Sequence, residues 1–168
     1  MKRKINVWDY APTICEQTGK GILVTTKANG KVNTMTIGWG TLGIQWGKPI
    51  YTVFVRESRY TKQMLEENGE FTINVPMGEI NKEILKLCGT VSGRDADKIK
   101  MLNLTLEAGE EVDVPGIREL PLTLECKVIY KQEQGPEAIA QENLERYYPD
   151  GDYHTAYYGQ IVSAYIIE

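Results

Sequence analysis

The run Val55-Arg56-Glu57-Ser58-Arg59-Tyr60-Thr61 gathers two guanidiniums and two hydroxyls where a strand gives way to a helix. A helix N-terminus offers unpaired amides and a partial positive charge, so added Arg and Ser/Thr make a receptor for a phosphate dianion. The same residues also fit a capped helix with surface arginines, Ser58 serving as the N-cap. No GxxxxGK[ST] loop is present, which disfavours a nucleoside triphosphate.

Three further stretches invite a chemical reading. In Asn33-Thr34-Met35-Thr36-Ile37-Gly38-Trp39-Gly40, Thr34 and Thr36 share one strand face and Met35 and Ile37 the other. Gly38 and Gly40 flank Trp39 and let a planar ligand approach the backbone; a Thr-rich strand ending in a glycine-relieved turn is the plainer alternative. Cys88-Gly89-Thr90-Val91-Ser92-Gly93-Arg94-Asp95-Ala96-Asp97-Lys98 mixes small and charged residues, as functional loops do and as a helix end followed by a solvated turn also does. His154, just before the last strand, is the only histidine and the only side chain whose ordinary pKa lies near neutrality.

The elements that must position these residues are mostly strands. Runs 20–27 and 31–37 flank Asn29-Gly30, a strong hairpin signal. Strands are expected at 49–56, 70–75, 104–107, 121–132 and 156–167. Helices are expected at 59–68, about 78–88 with Gly89 as the stop, and around 95–102, with a turn or two in 136–146. About seven strands and two or three short helices give a mainly β antiparallel barrel with helical insertions. Regular βαβ alternation is missing.

The chain's 168 residues suit one domain, 1–168. Apolar residues make up 42% and charged residues 25%, which are globular proportions. With 19 basic and 23 acidic residues the net charge is −4, which argues against a nucleic-acid binder. No apolar run is long enough to span a bilayer, and Met1-Lys2-Arg3-Lys4 is not followed by a signal-peptide core, so no membrane partner and no export are expected. Cys15, Cys88 and Cys126 are an odd, widely spaced set, read as reduced thiols of a cytoplasmic protein without a metal site. So few candidates for unaided chemistry raise the expectation that a bound cofactor does the work.

Taken in order, the T-M-T-x-G-W-G run (34–40), V-R-x-S-x-x-T (55–61), C-G-x-x-S-G-R-D-x-D-K (88–98) and H-x(4)-G-x-x-V (154–162), with Phe71-Thr72-Ile73-Asn74-Val75, resemble the flavin reductase-like family. The resemblance implies an FMN-binding split β-barrel, usually a homodimer with its sites near the interface. By the same resemblance, Arg56, Ser58 and Thr61 match the segment that binds the FMN phosphate. Thr34, Met35 and Thr36 match the strand along the flavin ring. Ser92, Gly93, Arg94 and Lys98 match a loop closing over it. Trp39, Tyr60 and Cys88 fall in the same stretches and join the expected cofactor-binding set. His154 matches a histidine near the face shared by flavin and nicotinamide, and is the expected catalytic residue. Two features depart from the family: Gln160 stands where an acid is common, and Glu57 sits inside the phosphate segment.

The activity implied is an FMN-dependent oxidoreductase, with NADH or NADPH as donor and a small molecule or protein as acceptor. Two alternatives stay open: an FMN electron carrier reduced by another protein, and a non-redox flavin-binding protein.

Overall fold

The computed structural model describes residues 1–168. In chain order the elements are β1 (Lys2–Lys4), a 3-10 turn (Val7–Tyr10), α1 (Ala11–Lys20), β2 (Ile22–Ala28), β3 (Lys31–Ile37), β4 (Gly40–Gln45) and β5 (Lys48–Arg56). There follow α2 (Tyr60–Glu67), β6 (Glu70–Val75), α3 (Lys82–Thr90), α4 (Lys98–Met101), β7 (Leu106–Glu107) and β8 (Gly116–Ile117). The chain closes with β9 (Leu122–Glu133), a 3-10 turn (Pro136–Ala138), α5 (Gln141–Tyr147) and β10 (His154–Ile167).

One antiparallel sheet runs β3-β2-β6-β9-β10-β5-β4, with β1 added to β10. Alternate residues of β2, β3, β5, β6, β9 and β10 meet in a single core that includes Val24, Ile37, Val53, Phe71, Leu124 and Tyr157. A sheet whose strands all send side chains into one core must curl around it. It does not close. β3 and β4 are joined by only Gly38 and Trp39, yet they do not pair and form the two ends of the sheet. The architecture is thus the split barrel expected, with its opening beside Trp39.

Local signals hold where they are strong. Asn29 and Gly30 both take positive φ, 50° and 75°, as the hairpin turn requires. Other boundaries move. α3 begins at an Asn81 cap and runs through Gly89 to Thr90 rather than spanning 78–88. α4 starts only at Lys98, where Asp97 accepts from the Lys100 amide, so the helix expected around 95–102 is one turn long. The chain has ten strands in place of about seven, eight in the main sheet and two in the separate β7–β8 ribbon. β4 went unread because its hairpin turns on Trp46-Gly47, and Trp46 adopts a left-handed φ of 51° that tryptophan seldom takes.

α1 is a further helix, not among those expected from the sequence. Pro12 lies in the first turn, where no intrahelical amide is lost. Ile14 is fully buried in the barrel core, and the Thr18 hydroxyl meets the Tyr51 hydroxyl at 2.8 Å. A second, smaller core of Leu23, Ile84, Cys88, Leu104, Ile117 and Leu120 seals α3 and the 104–120 segment against the outer face of β2.

The plug role of α1 gives a contrast between neighbours. Ile14→Ala should destabilise the fold by about 2–5 kcal/mol. Cys15→Ala, at an exposed position of the same helix, should change stability by no more than about 0.5 kcal/mol. Urea denaturation of the two variants measures both.

Candidate functional site: a cationic groove at the open edge of the sheet

β3 is a terminal strand, so one row of its backbone amides and carbonyls has no strand partner. That edge lines a groove made of two adjoining cavities. One, of about 210 Å³, is walled by Met35, Thr36, Trp39, Phe54, Arg56 and His154. The other, of about 330 Å³, is walled by Asn33, Thr61, Ser92, Arg94 and Lys98 among others. Met35, Arg59 and Gly89 line both.

The second cavity is electropositive for a structural reason. Lys98 is only 4% exposed, and its ammonium finds just the Cys88 carbonyl, at 3.4 Å. Burial, and secondarily the nearby Arg59, lowers its pKa. Arg94 spends one N–H on the Ser58 carbonyl (3.0 Å) and lies against the Tyr60 ring. None of Arg59, Arg94 and Lys98 takes part in an ion pair. The start of α2 points the same way. Its cap position is Arg59, whose side chain cannot accept a hydrogen bond, and the Tyr60 and Thr61 amides have no partner in the chain. Three cations without an ion pair, against the single carboxylate of Asp95 in the lining, and two open amides around one cavity make a receptor for an anion.

Gly93 fixes the shape of this end. A Cβ there would sit 2.7 Å from Cγ of buried Asn33, whose amide also donates to Thr61 Oγ1 at 3.3 Å. Lys31 ties the loop down by donating to the Gly93 carbonyl at 2.8 Å. Cys88, packed beneath, is buried, and burial pushes its thiol up to about 11, so it is no nucleophile at neutral pH.

The first cavity is built by the pairing of β5 and β10, which sets Arg56 opposite His154. Arg56 does not reach the anion receptor. Its two terminal nitrogens donate to the Asp152 and Tyr147 carbonyls at 2.9 and 3.1 Å, and its guanidinium lies over the Tyr148 ring. Ser58 is committed too, its amide and hydroxyl donating to the Asp152 carboxylate at 2.9 and 2.6 Å. It is therefore not the cap of α2. Burial opposes ionisation of Asp152, but the Ser58 hydrogen bonds and the nearby Arg56 outweigh it and hold the carboxyl low. Arg56 and Ser58 thus brace the groove wall, and Arg59 and Arg94 supply the free guanidiniums.

Other expected residues divide similarly. Met35, Trp39, Tyr60, Thr61, Cys88, Ser92, Gly93, Arg94, Lys98 and His154 all line the groove. Thr34 does not. Its hydroxyl is fully buried between Thr25 and the Val24 carbonyl. The Thr36 hydroxyl donates to the Leu85 carbonyl at 2.7 Å, so at these two positions only the strand edge is free. Gly40 is required by the Tyr51 ring, which a Cβ would strike, and not by a planar ligand. Asn33 and Arg59 were not among the expected contacts; the positions of Gly93 and of the two cavities reveal them.

His154 is 7% exposed, with Nδ1 2.6 Å from the Tyr148 hydroxyl and its ring 5.1 Å from that of Trp39. Burial, then Arg56, pushes its pKa down to about 4. The imidazole is therefore neutral at pH 7. The hydrogen bond shared by Nδ1 and the Tyr148 hydroxyl holds the ring in one orientation.

The flavin reductase like domain family matches residues 18–168, and the chain belongs to that family. An uncharacterized protein of Archaeoglobus fulgidus is 36% identical over 109 residues, 65% of this chain and 60% of that protein. The chain therefore spans less than two thirds of that relative's length. Among solved structures, the flavoredoxin of Methanosarcina acetivorans is 28% identical with a TM-score of 0.68, covering 88% of this chain and 68% of its own. The flavoredoxin of Desulfovibrio vulgaris (Miyazaki F) is 26% identical with a TM-score of 0.67, covering 88% and 69%.

The buried histidine makes a pH prediction. Between the ordinary value of 6.5 and about 4, the unfolded chain binds a proton that the native His154 refuses. This contribution to stability is whole above pH 6.5 and is lost as pH falls toward 4. Proton NMR of the single imidazole should show a midpoint well below 5.5, and His154→Gln should flatten the fall in stability across that window.

Proposed function

We propose that this protein is an FMN-binding oxidoreductase, the flavin phosphate lying among Arg59, Arg94, Lys98 and the first amides of α2, and the ring beside Met35, Trp39 and His154. The observation that carries the reading is Lys98, a buried ammonium without a counter-charge at the end of a groove. A cation in that position is costly unless an anion joins it. The groove's other end suits a flat ring, with an unpaired strand edge on one side and Trp39 and Phe54 on the other.

Bound FMN would supply two-electron chemistry at its ring, with NADH or NADPH as the donor. The chain's own part is placement. The β3 edge offers hydrogen bonds to the ring's polar rim. Met35 and Trp39 limit water. His154, held neutral by burial and fixed by Tyr148, lines the cavity and orients what enters there. Such an imidazole positions and shields and is not a general acid at neutral pH. A second reading, an electron-transfer protein, draws on the likeness to two flavoredoxins. Anaerobic mixing with NADH, NADPH or dithionite separates the two: only dithionite bleaches the flavin of an electron carrier.

We also propose a homodimer. Of the C-terminal tyrosines, Tyr148, Tyr157 and Tyr165 are buried within the chain itself. A separate aromatic cluster is available outside, where Trp46, 58% exposed, meets Tyr130 and Tyr130 meets Tyr158. Aromatic groups of this kind are enriched at interfaces. Sedimentation equilibrium should give twice the chain mass, and Trp46→Glu should shift it toward the monomer.

Lys98→Met separates phosphate binding from structure. It should weaken FMN roughly 10- to 150-fold and riboflavin hardly at all, while leaving the flavin-free chain as stable as before or more so. Equal loss for the two flavins, by titration calorimetry, would refute this placement. His154→Ala should keep FMN affinity within a few-fold and slow reduction by the nicotinamide about 10-fold or more.

A further inference from the structure

Asp152 lies in the turn that leads into β10 and lines neither cavity of the groove. It reaches the anion receptor through one residue. Both carboxylate oxygens are spent on Ser58, Oδ1 accepting its amide at 2.9 Å and Oδ2 its hydroxyl at 2.6 Å. Beyond, the Ser58 carbonyl accepts Nη1 of Arg94 at 3.0 Å, the one hydrogen bond that guanidinium makes within the chain. The Ser58 amide and carbonyl lie on either side of one α-carbon, so two dihedrals set the angle between them. Holding the amide and the hydroxyl fixes that residue, and with it the direction of the carbonyl that aims Arg94. One residue further on, Arg59 caps α2, with the open Tyr60 and Thr61 amides behind it. The same turn grips the segment at two more points. The Asp152 carbonyl accepts from Arg56 at 2.9 Å, and the Tyr153 carbonyl accepts the Glu57 amide at 3.1 Å. Asp152 makes these contacts from a left-handed φ of 58°, which Asp and Asn tolerate better than most residues.

We propose that Asp152 is a positioning residue for the anion receptor: through Ser58 it aims the Arg94 guanidinium and the first amides of α2 at a phosphate that it does not itself touch. That the phosphate belongs to a flavin rests on the function proposed above; the relay to Arg94 does not. The sign of the effect is the reverse of plain electrostatics. The Asp152 carboxylate feels Arg59, so by charge alone it lowers the pull of the receptor on an anion. On that ground its removal tightens phosphate binding. The same sign follows if the carboxylate merely stands in for a phosphate on Ser58 and is displaced by it. Loss of the relay weakens binding instead.

Two substitutions separate these cases. Asp152→Gly keeps the left-handed turn and removes both acceptors, whereas Asp152→Asn removes the charge but can still accept the Ser58 amide and meet its hydroxyl. In titration calorimetry on the full chain, Asp152→Gly should weaken FMN about 10-fold and leave riboflavin within about twofold. Asp152→Asn should stay within about threefold of the wild type for both flavins. In an Arg94→Ala background the loss from Asp152→Gly should shrink to about threefold or less, since the group it aims is gone. Should Asp152→Gly fail to fold, Ser58→Ala in the same two backgrounds closes an equivalent cycle. Tighter FMN binding by both variants, parallel loss of FMN and riboflavin, or a full loss that persists without Arg94 would each overturn the positioning role. Inorganic phosphate, followed by NMR at the Tyr60 and Thr61 amides, keeps this result apart from the flavin reading. If Asp152→Gly weakens phosphate but the wild type does not prefer FMN to riboflavin, only the flavin reading falls. If the wild type prefers FMN and Asp152→Gly leaves that preference intact, only the positioning role falls. A wild type that takes up neither FMN nor phosphate sinks both.

Discussion

The pairing of β10 with β5 is the constraint from which the site follows. Its fourteen residues hydrogen-bond to β9 on one side and β5 on the other, and β1 extends its end. Thr155 and Tyr157 lie opposite Val55 and Val53 on the core face, so His154 and Arg56 fall together on the other. A slip of one residue would send His154 inward and Tyr157 out. With the register fixed, Arg56 can reach back to the carbonyls of Tyr147 and Asp152, which holds the connection from α5 against the groove. Asp152, at φ 58°, then captures Ser58. The wall is a closed chain of hydrogen bonds, and this is why neither Arg56 nor Ser58 is left for a ligand.

Charge is distributed around that wall with a clear asymmetry. The chain is acidic overall, with 23 acidic against 19 basic residues. Yet Arg59, Arg94 and Lys98 meet at one end of one groove, outnumber its one carboxylate, Asp95, and take part in no ion pair. Burying Lys98 costs stability in the empty chain. That cost becomes a gain in affinity for an anion, since the receptor is already desolvated and in place.

Much of this was legible in the residues. The Asn29-Gly30 hairpin, the β6 strand and the ordered motifs from Thr34 to Val162 specify a split barrel and its family, because turn chemistry and side-chain alternation are local properties. The motifs also brought thirteen of the fourteen expected site residues to one groove, all but Thr34. Their division of labour was not local. Arg56 and Arg59 are equivalent in sequence, three positions apart; only the β5–β10 register tells which one is spent on carbonyls. Thr34 and Met35 are neighbours, and only the packing of β2 on β3 shows which faces away. α1 stayed hidden because its stability comes from Ile14 and Thr18 meeting the barrel core, against weak propensity and a proline. The neutrality of His154 and the uncompensated charge of Lys98 likewise depend on what surrounds them. Burial and partner are properties of the folded chain, and no spacing in the sequence encodes them.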